Sequence, residues 1–187
     1  MEKELGVYRK LNDLATEGGL VILGGGEDRN IPLCELKQAF DLQEKLYNRS
    51  IAGLSVCNGA DIFDDYVAPL QPEDILLHIG EADREAFAAC PAEFDRMLSA
   101  LLRHIKSENE KCRIAVVSLE DAAEMNKHMA AVAQSEGCEF CDIRQNRVWD
   151  PKLTKDVLSF IYSTGFVRPL NRKRPLYDLA RIMFFYA

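Results

Sequence analysis

The stretch LVILGGGEDRN, residues 20–30, decides how this chain folds. Four apolar residues are too few for a buried helix but suit a strand covered on both faces, and three glycines in a row end the run. Two later stretches repeat the pattern. NRSIAG at 48–53 and DILLHIGEAD at 74–83 each run from an apolar, strand-like segment into glycine. The spacing predicts strands near 20–23, 48–52 and 75–79. In an open parallel sheet the strand C-termini share one edge, and ligands bind in the crevice outside it. The loops after these three strands then converge on one site.

Helical and strand-like patterns alternate on either side. Residues 4–17 predict an N-terminal helix with Val7, Leu11 and Leu14 on one face, stopped by Gly18 and Gly19. Pro32 can open a helix in which Leu33, Leu36 and Phe40 recur at helical spacing. A short helix is expected near 59–66. From Pro91, the residues Phe94, Met97, Leu98, Leu101, Leu102 and Ile105 trace an apolar stripe. Residues 114–119 read as the fourth strand. Asp121 with Glu124 has the form of a capping box, Met125, Met129 and Val132 mark a buried face, and Gly137 ends that helix. Residues 139–143 read as the fifth strand, with further helices at about 151–162 and 176–186. Strands alternating with helices imply right-handed crossovers and a mostly parallel five-stranded sheet with helices on both faces. The expectation is one domain over residues 1–187.

The three glycine-ended stretches resemble the first three sequence blocks of the SGNH (GDSL-like) esterase and acylhydrolase family. Asn126, Met129, Val132 and Ala133, followed by GCEFCDI, are similar to its later helix and strand passage. The likeness covers about residues 19–169 and implies a flavodoxin-like three-layer α/β/α sandwich. In that family a serine follows the first strand, a second-block glycine and a third-block asparagine donate to the oxyanion, and a late Asp-x-x-His supplies orienter and base. Those parts work only as a set. Aligned to the family, Gly26 stands at the serine position and Ala82 at the asparagine. In Tyr162-Ser163-Thr164-Gly165-Phe166-Val167-Arg168-Pro169, Thr164 stands for the aspartate and Val167 for the histidine. Gly53 keeps its backbone donor. No catalytic residue is assigned, because four of these five positions lack the chemistry. The expected remnant pocket comprises Gly25, Gly26, Glu27, Gly53, Ala82, Asp83 and Arg168.

Other side chains supply rival chemistry. His78, inside the third strand, reads as a satisfied, partly buried histidine. Cys57 beyond Gly53 has no base nearby in sequence and reads as a buried, inert thiol. Glu27, Asp28 and Asp83 could cluster as an acid–base set, and Asp61, Asp64 and Asp65 read as the exposed face of a short helix. The glycine run could cradle a phosphate. However, Arg29 stands where a dinucleotide fingerprint wants glycine, and Glu27 and Asp28 repel anions. Arg168, Arg172, Lys173 and Arg174 form a basic loop, read first as a solvated connection and second as an anion-attracting rim of the crevice.

Composition narrows the classes. The chain has 48% hydrophobic and 28% charged residues, as in ordinary globular proteins. Its net charge of −7 argues against nucleic-acid or anionic-membrane partners. The charged, helix-patterned N-terminus is unlike a signal peptide, so a cytoplasmic location is expected. Six scattered cysteines are expected to be reduced and mostly buried, and their spacing offers no metal site. No cofactor is expected. The reading is a non-catalytic binding or regulatory domain that holds a small polar molecule. An acylhydrolase of small esters or acylated sugars with non-standard residues is the rival, and a nucleotide-binding module the weaker one.

Overall fold

Apolar runs ending in glycine do become parallel strands. The structure, a computed structural model, describes residues 2–143 and 174–184. Strands β1 (Leu20–Gly24), β2 (Leu46–Asn48), β3 (Asp74–His78), β4 (Arg113–Val117) and β5 (Glu139–Cys141) form one sheet in the order β2-β1-β3-β4-β5. Every pairing is parallel, and the β1–β3 ladder runs from Leu20 opposite Asp74 to Gly24 opposite His78. The order reverses between β1 and β3, which makes that crevice the switch point of the sheet.

Helices cover both faces. Among the described residues the helices are α1 (Glu2–Asn12), α2 (Leu33–Ala39), α3 (Gly59–Ile62), α4 (Arg84–Ala89), α5 (Pro91–Glu108), α6 (Ala123–Ser135) and α7 (Leu176–Phe184). A π-helical turn, Phe63–Val67, continues α3. On one face Val21, Leu23, Ile75, Leu77 and Val116 pack with Leu98 and Leu102 of α5 and Met129 of α6. On the other, Leu20, Ile22, Leu76 and Val117 pack with Leu36 of α2 and Leu179 and Met183 of α7. Helix, sheet and helix make the three layers that the alternation implies. Alternation along the strands sorts the two faces, and full burial of each such side chain contributes about 1.5–3 kcal/mol.

Four expectations need correction. The second strand is Leu46–Asn48, not 48–52. Arg49 and Ile51 still donate to Ile22 O and Gly24 O at 2.8 and 3.0 Å. Between them the Asn48 side-chain oxygen takes the Ser50 N–H at 2.9 Å, a local turn beside the strand end.

The N-terminal helix stops at Asn12, and Val7, Leu11 and Leu14 are 51%, 45% and 83% exposed. Its inward face is instead Leu5, Tyr8 and Asn12. The Tyr8 hydroxyl donates to Ser50 O at 2.6 Å, and Asn12 Nδ2 donates to Tyr66 O at 3.1 Å. Polar anchors outrank the apolar spacing here.

Asp121 and Glu124 form no capping box. Asp121 has φ +47°, Ala122 occupies the cap without a side-chain bond, and Glu124 pairs with Lys127 at 2.8 Å. Asn126 steadies the turn instead, accepting from Leu119 N–H and donating to Leu119 O, each at 2.8 Å.

The cysteines are all free thiols, but only Cys112 and Cys141 are buried. Cys138 is half-buried, and Cys34, Cys57 and Cys90 are exposed. The exposed three lie on or beside short surface elements rather than on strands.

Candidate functional site at the C-terminal sheet edge

Gly26, Gly53 and Ala82 follow the C-terminal ends of β1, β2 and β3, so the fold brings all three loops to one edge. Gly26 opens a 3-10 turn, Glu27–Asn30, with φ −62° and ψ −37°. A side chain there would point at Ala52, whose Cα and Cβ lie 3.5 Å from the Cβ position. Gly53 has φ +76°, which favours glycine, and nothing lies within 4 Å of its Cβ position. Ala82 is exposed in the turn Glu81–Asp83. Among the described residues neither Gly26 N–H nor Gly53 N–H finds an acceptor. Among the described residues two backbone donors therefore remain open at this rim.

The acids do not form one cluster. Glu27 is exposed. Asp83 is buried and accepts from Val56 N–H at 3.1 Å, tying the loop after β3 to the loop after β2. Burial pushes its carboxyl above the usual range, and the Val56 N–H pulls the other way. Asp28 turns inward. Its Oδ2 accepts from Gly25 N–H at 2.7 Å, and both carboxylate oxygens face His78 Nδ1 at 2.9 and 3.0 Å. The Asp28 side chain is 6% exposed and that of His78 22%.

That arrangement explains the first glycine of the run. A Cβ at Gly24 would lie 2.0 Å from Asp28 Oδ2, so the carboxylate occupies the space that a side chain would need. The Gly-rich turn is thus filled by an anion of its own chain where a phosphate cradle would need room. This geometry counts against nucleotide binding there. Spacing could suggest His78 as a satisfied histidine, but not its partner, because nothing in sequence joins residues 28 and 78. His78 ends β3 and Asp28 follows the end of β1, the one cue available.

The second-block residues have structural work. Asn48 Nδ2 donates to Asp28 O at 2.7 Å. Arg49 is buried, donates to Asn12 Oδ1 through Nε and Nη2 at 3.0 and 2.7 Å, and lies over the Tyr8 and Tyr47 rings. Burial lowers its pKa, while the two tyrosines raise it. Gly80, with φ +115°, lets Met125 and Leu119 approach to 2.9 and 3.0 Å of its Cβ position.

The remaining candidates separate. Cys57 is exposed on the Gly53 loop with Met97 Sδ 4.0 Å from its sulfur, and burial, the basis for reading it as inert, does not apply. Asp61, Asp64 and Asp65 are exposed, with Asp64 against His104 and Asp65 against Arg9. Thr164, Val167, Arg168, Arg172 and Lys173, with the helix expected at 151–162, lie outside the described residues. Arg174 donates to Phe40 O at 3.3 Å. A cavity of about 750 Å³ lies beyond β4 and β5, lined by Leu119, Asp121, Asn126, Lys127, Phe140 and Tyr177, and includes none of the glycine positions. Among the described residues no three His, Cys, Asp or Glu are placed to hold a metal, and no helix is long and apolar enough to cross a membrane.

No family model and no curated relative matches the chain by sequence. Solved structures do match its fold. A GDSL-like lipase from Bacteroides thetaiotaomicron aligns with TM-score 0.58 at 11% identity, over 86% of this chain and 98% of that one. A candidate platelet activating factor from Streptococcus pneumonia aligns with TM-score 0.62 at 17% identity, over 89% and 92%. A variant of an acetyl-xylooligosaccharide esterase from Geobacillus Stearmophilus aligns with TM-score 0.52 at 14% identity, over 86% and 99%. The chain has the SGNH (GDSL-like) hydrolase fold, with the five-stranded parallel sheet expected of it.

Proposed function

We propose that this protein has lost serine hydrolysis and uses the crevice at the ends of β1, β2 and β3 to hold a small neutral polar molecule. The observation that supports this reading is Gly26, where the fold's hydrolases are expected to carry serine. The backbone there is present and oriented, but no hydroxyl exists to attack. Ala82 likewise removes the side-chain donor, leaving the Gly26 and Gly53 N–H groups as the polar lining. Exposed Glu27 disfavours an anion, and those two donors suit a carbonyl oxygen. Six free thiols fit a reducing, cytoplasmic setting.

Incubation with a fluorophosphonate probe and a series of short acyl esters tests the proposal. No serine should be labelled, and turnover should stay at background. Stoichiometric labelling of any serine would sink it and restore the rival reading of an acylhydrolase with non-standard residues.

A further inference from the structure

The last rung of the β1–β3 ladder is Gly24 opposite His78, at the point where the strand order reverses. His78 is therefore the side chain that β3 itself delivers to the switch-point crevice, where open α/β sheets bind their ligands. Three features set the state of its ring. An ionised carboxylate is acceptor-only, so the Asp28 contact places the proton of neutral His78 on Nδ1. The same carboxylate also takes Gly25 N–H, which fixes its position and hence the ring's. And Nε2, on the far side of the ring, has no partner among the described residues.

A buried carboxylate behind Nδ1 and a lone pair at Nε2, on a side chain 22% exposed, make an oriented hydrogen-bond acceptor. Phe184 of α7 lies edge to face with the imidazole, ring centroids 4.7 Å apart, giving the acceptor an apolar wall. Other histidines have different surroundings. His104 faces Asp64, and His128 on α6 faces Asp95 on α5.

We infer that His78 Nε2 is the specificity contact of the crevice, accepting a hydrogen bond from a hydroxyl of the bound molecule. The ligand class is then a neutral molecule carrying both a carbonyl, for the open Gly26 and Gly53 N–H groups, and a hydroxyl, for His78. This inference rests on the proposed crevice function and adds the group that chooses the ligand. Asp28 is a positioning residue that acts through His78.

Protein NMR with two probes separates the possibilities. N-acetylglucosamine carries an acetyl carbonyl and hydroxyls, whereas N,N-dimethylacetamide carries the carbonyl alone. N-acetylglucosamine should shift the His78 Nε2 resonance together with the Gly26 and Gly53 amides, and dimethylacetamide should move only the amides. His78→Asn keeps a donor for Asp28 where Nδ1 was but removes Nε2. It should weaken N-acetylglucosamine about three- to tenfold, the worth of one hydrogen bond, and leave dimethylacetamide unchanged.

Equal affinity of N-acetylglucosamine for wild type and His78→Asn would overturn the His78 assignment while leaving the crevice reading intact. So would an equal Nε2 shift with dimethylacetamide. Absence of any shift at Gly26, Gly53 and His78 with both probes would overturn both. Should the asparagine variant not fold, the wild-type Nε2 shift with the two probes decides.

Discussion

Gly24 and Gly26, two residues apart at the end of β1, sit in opposite surroundings. Gly24 lies on the inner rung, where Asp28, Gly25 and His78 fill the space and exchange hydrogen bonds. Gly26 lies on the outer rim, half-buried, with Ala52 at ordinary contact distance and an N–H that meets no described acceptor. The inner rung is committed to holding two strand ends together. The rim keeps backbone geometry without side-chain chemistry, and a ligand fits that kind of surface. One glycine is therefore required by its neighbours and the other is not.

The sharpest way to break that contrast is a pair of alanine substitutions. Gly24→Ala puts a methyl 2.0 Å from Asp28 Oδ2, so the carboxylate must leave Gly25 and His78. Leaving these groups without their hydrogen-bond partners costs about 1–3 kcal/mol for each one left unsatisfied. Gly26→Ala keeps an allowed φ of −62° and meets nothing nearer than 3.5 Å, so it should change stability by no more than about 1 kcal/mol in either direction. Urea unfolding of both variants gives the comparison, and equal losses would erase the distinction between rung and rim. Gly26→Ser should fold equally well yet gain no esterase activity. Its side chain would point toward Ala52, whereas the His78 ring is turned onto Asp28.

The same contrast recurs on α1, with polar anchors inward and apolar residues outward. Asn12 accepts both the Nε and Nη2 donors of buried Arg49. Asn12→Ala leaves those donors without an acceptor, a loss of about 1–3 kcal/mol. Leu14→Ser, at a residue 83% exposed, should stay within about 0.5 kcal/mol of wild type. A larger loss at Leu14 than at Asn12 would reverse the assignment of inward and outward residues at the end of α1.

This helix also marks where sequence reasoning ends. Val7, Leu11 and Leu14 have helical spacing, but spacing does not say which stripe faces inward. The decision falls to Tyr8 and Asn12, whose partners Ser50, Arg49 and Tyr66 are some forty to fifty residues away. Strands were legible because central parallel strands are apolar on both faces, as in residues 20–23 and 75–79. The short edge strand β2 begins two residues and ends four residues before the expected span, and Asn48 makes a local turn with Ser50 at its end. At the site, glycine positions could be aligned by wording alone. The Asp28–His78 pair could not, since it depends on a ladder register that brings Gly24 opposite His78.

Thiol reactivity tests burial on a finer scale. Cys34, Cys57 and Cys90 should react readily with Ellman's reagent in the native protein, whereas Cys112 and Cys141 should react only after denaturation. Burial pushes the Cys141 thiol up to about 12. At pH 8 only about one molecule in ten thousand then carries its thiolate, the reactive form. Cys138, half-buried and also raised by burial, should fall between the two groups. Native reaction of all six thiols at one rate would mean that β5 is not covered as described.

The smallest effect concerns Asp83, a buried carboxyl that sits beside the rim yet is tied inward like the rung. Burial raises its folded pKa, so the folded state holds this proton more tightly than the unfolded chain does. Its favourable contribution is fully present below the unfolded carboxylate range and is lost as pH rises through the folded value. Asp83→Asn keeps an oxygen for Val56 N–H but cannot ionise. Urea melts of both proteins from pH 3 to pH 8 should give a difference curve that is flat at the acid end and climbs in favour of the asparagine variant as pH rises above the unfolded carboxylate range. Subtracting the two curves removes the other titrating groups they share. A curve that instead favours wild type with rising pH would mean that the Val56 N–H outweighs burial, and Asp83 would then be a charge that the fold prefers.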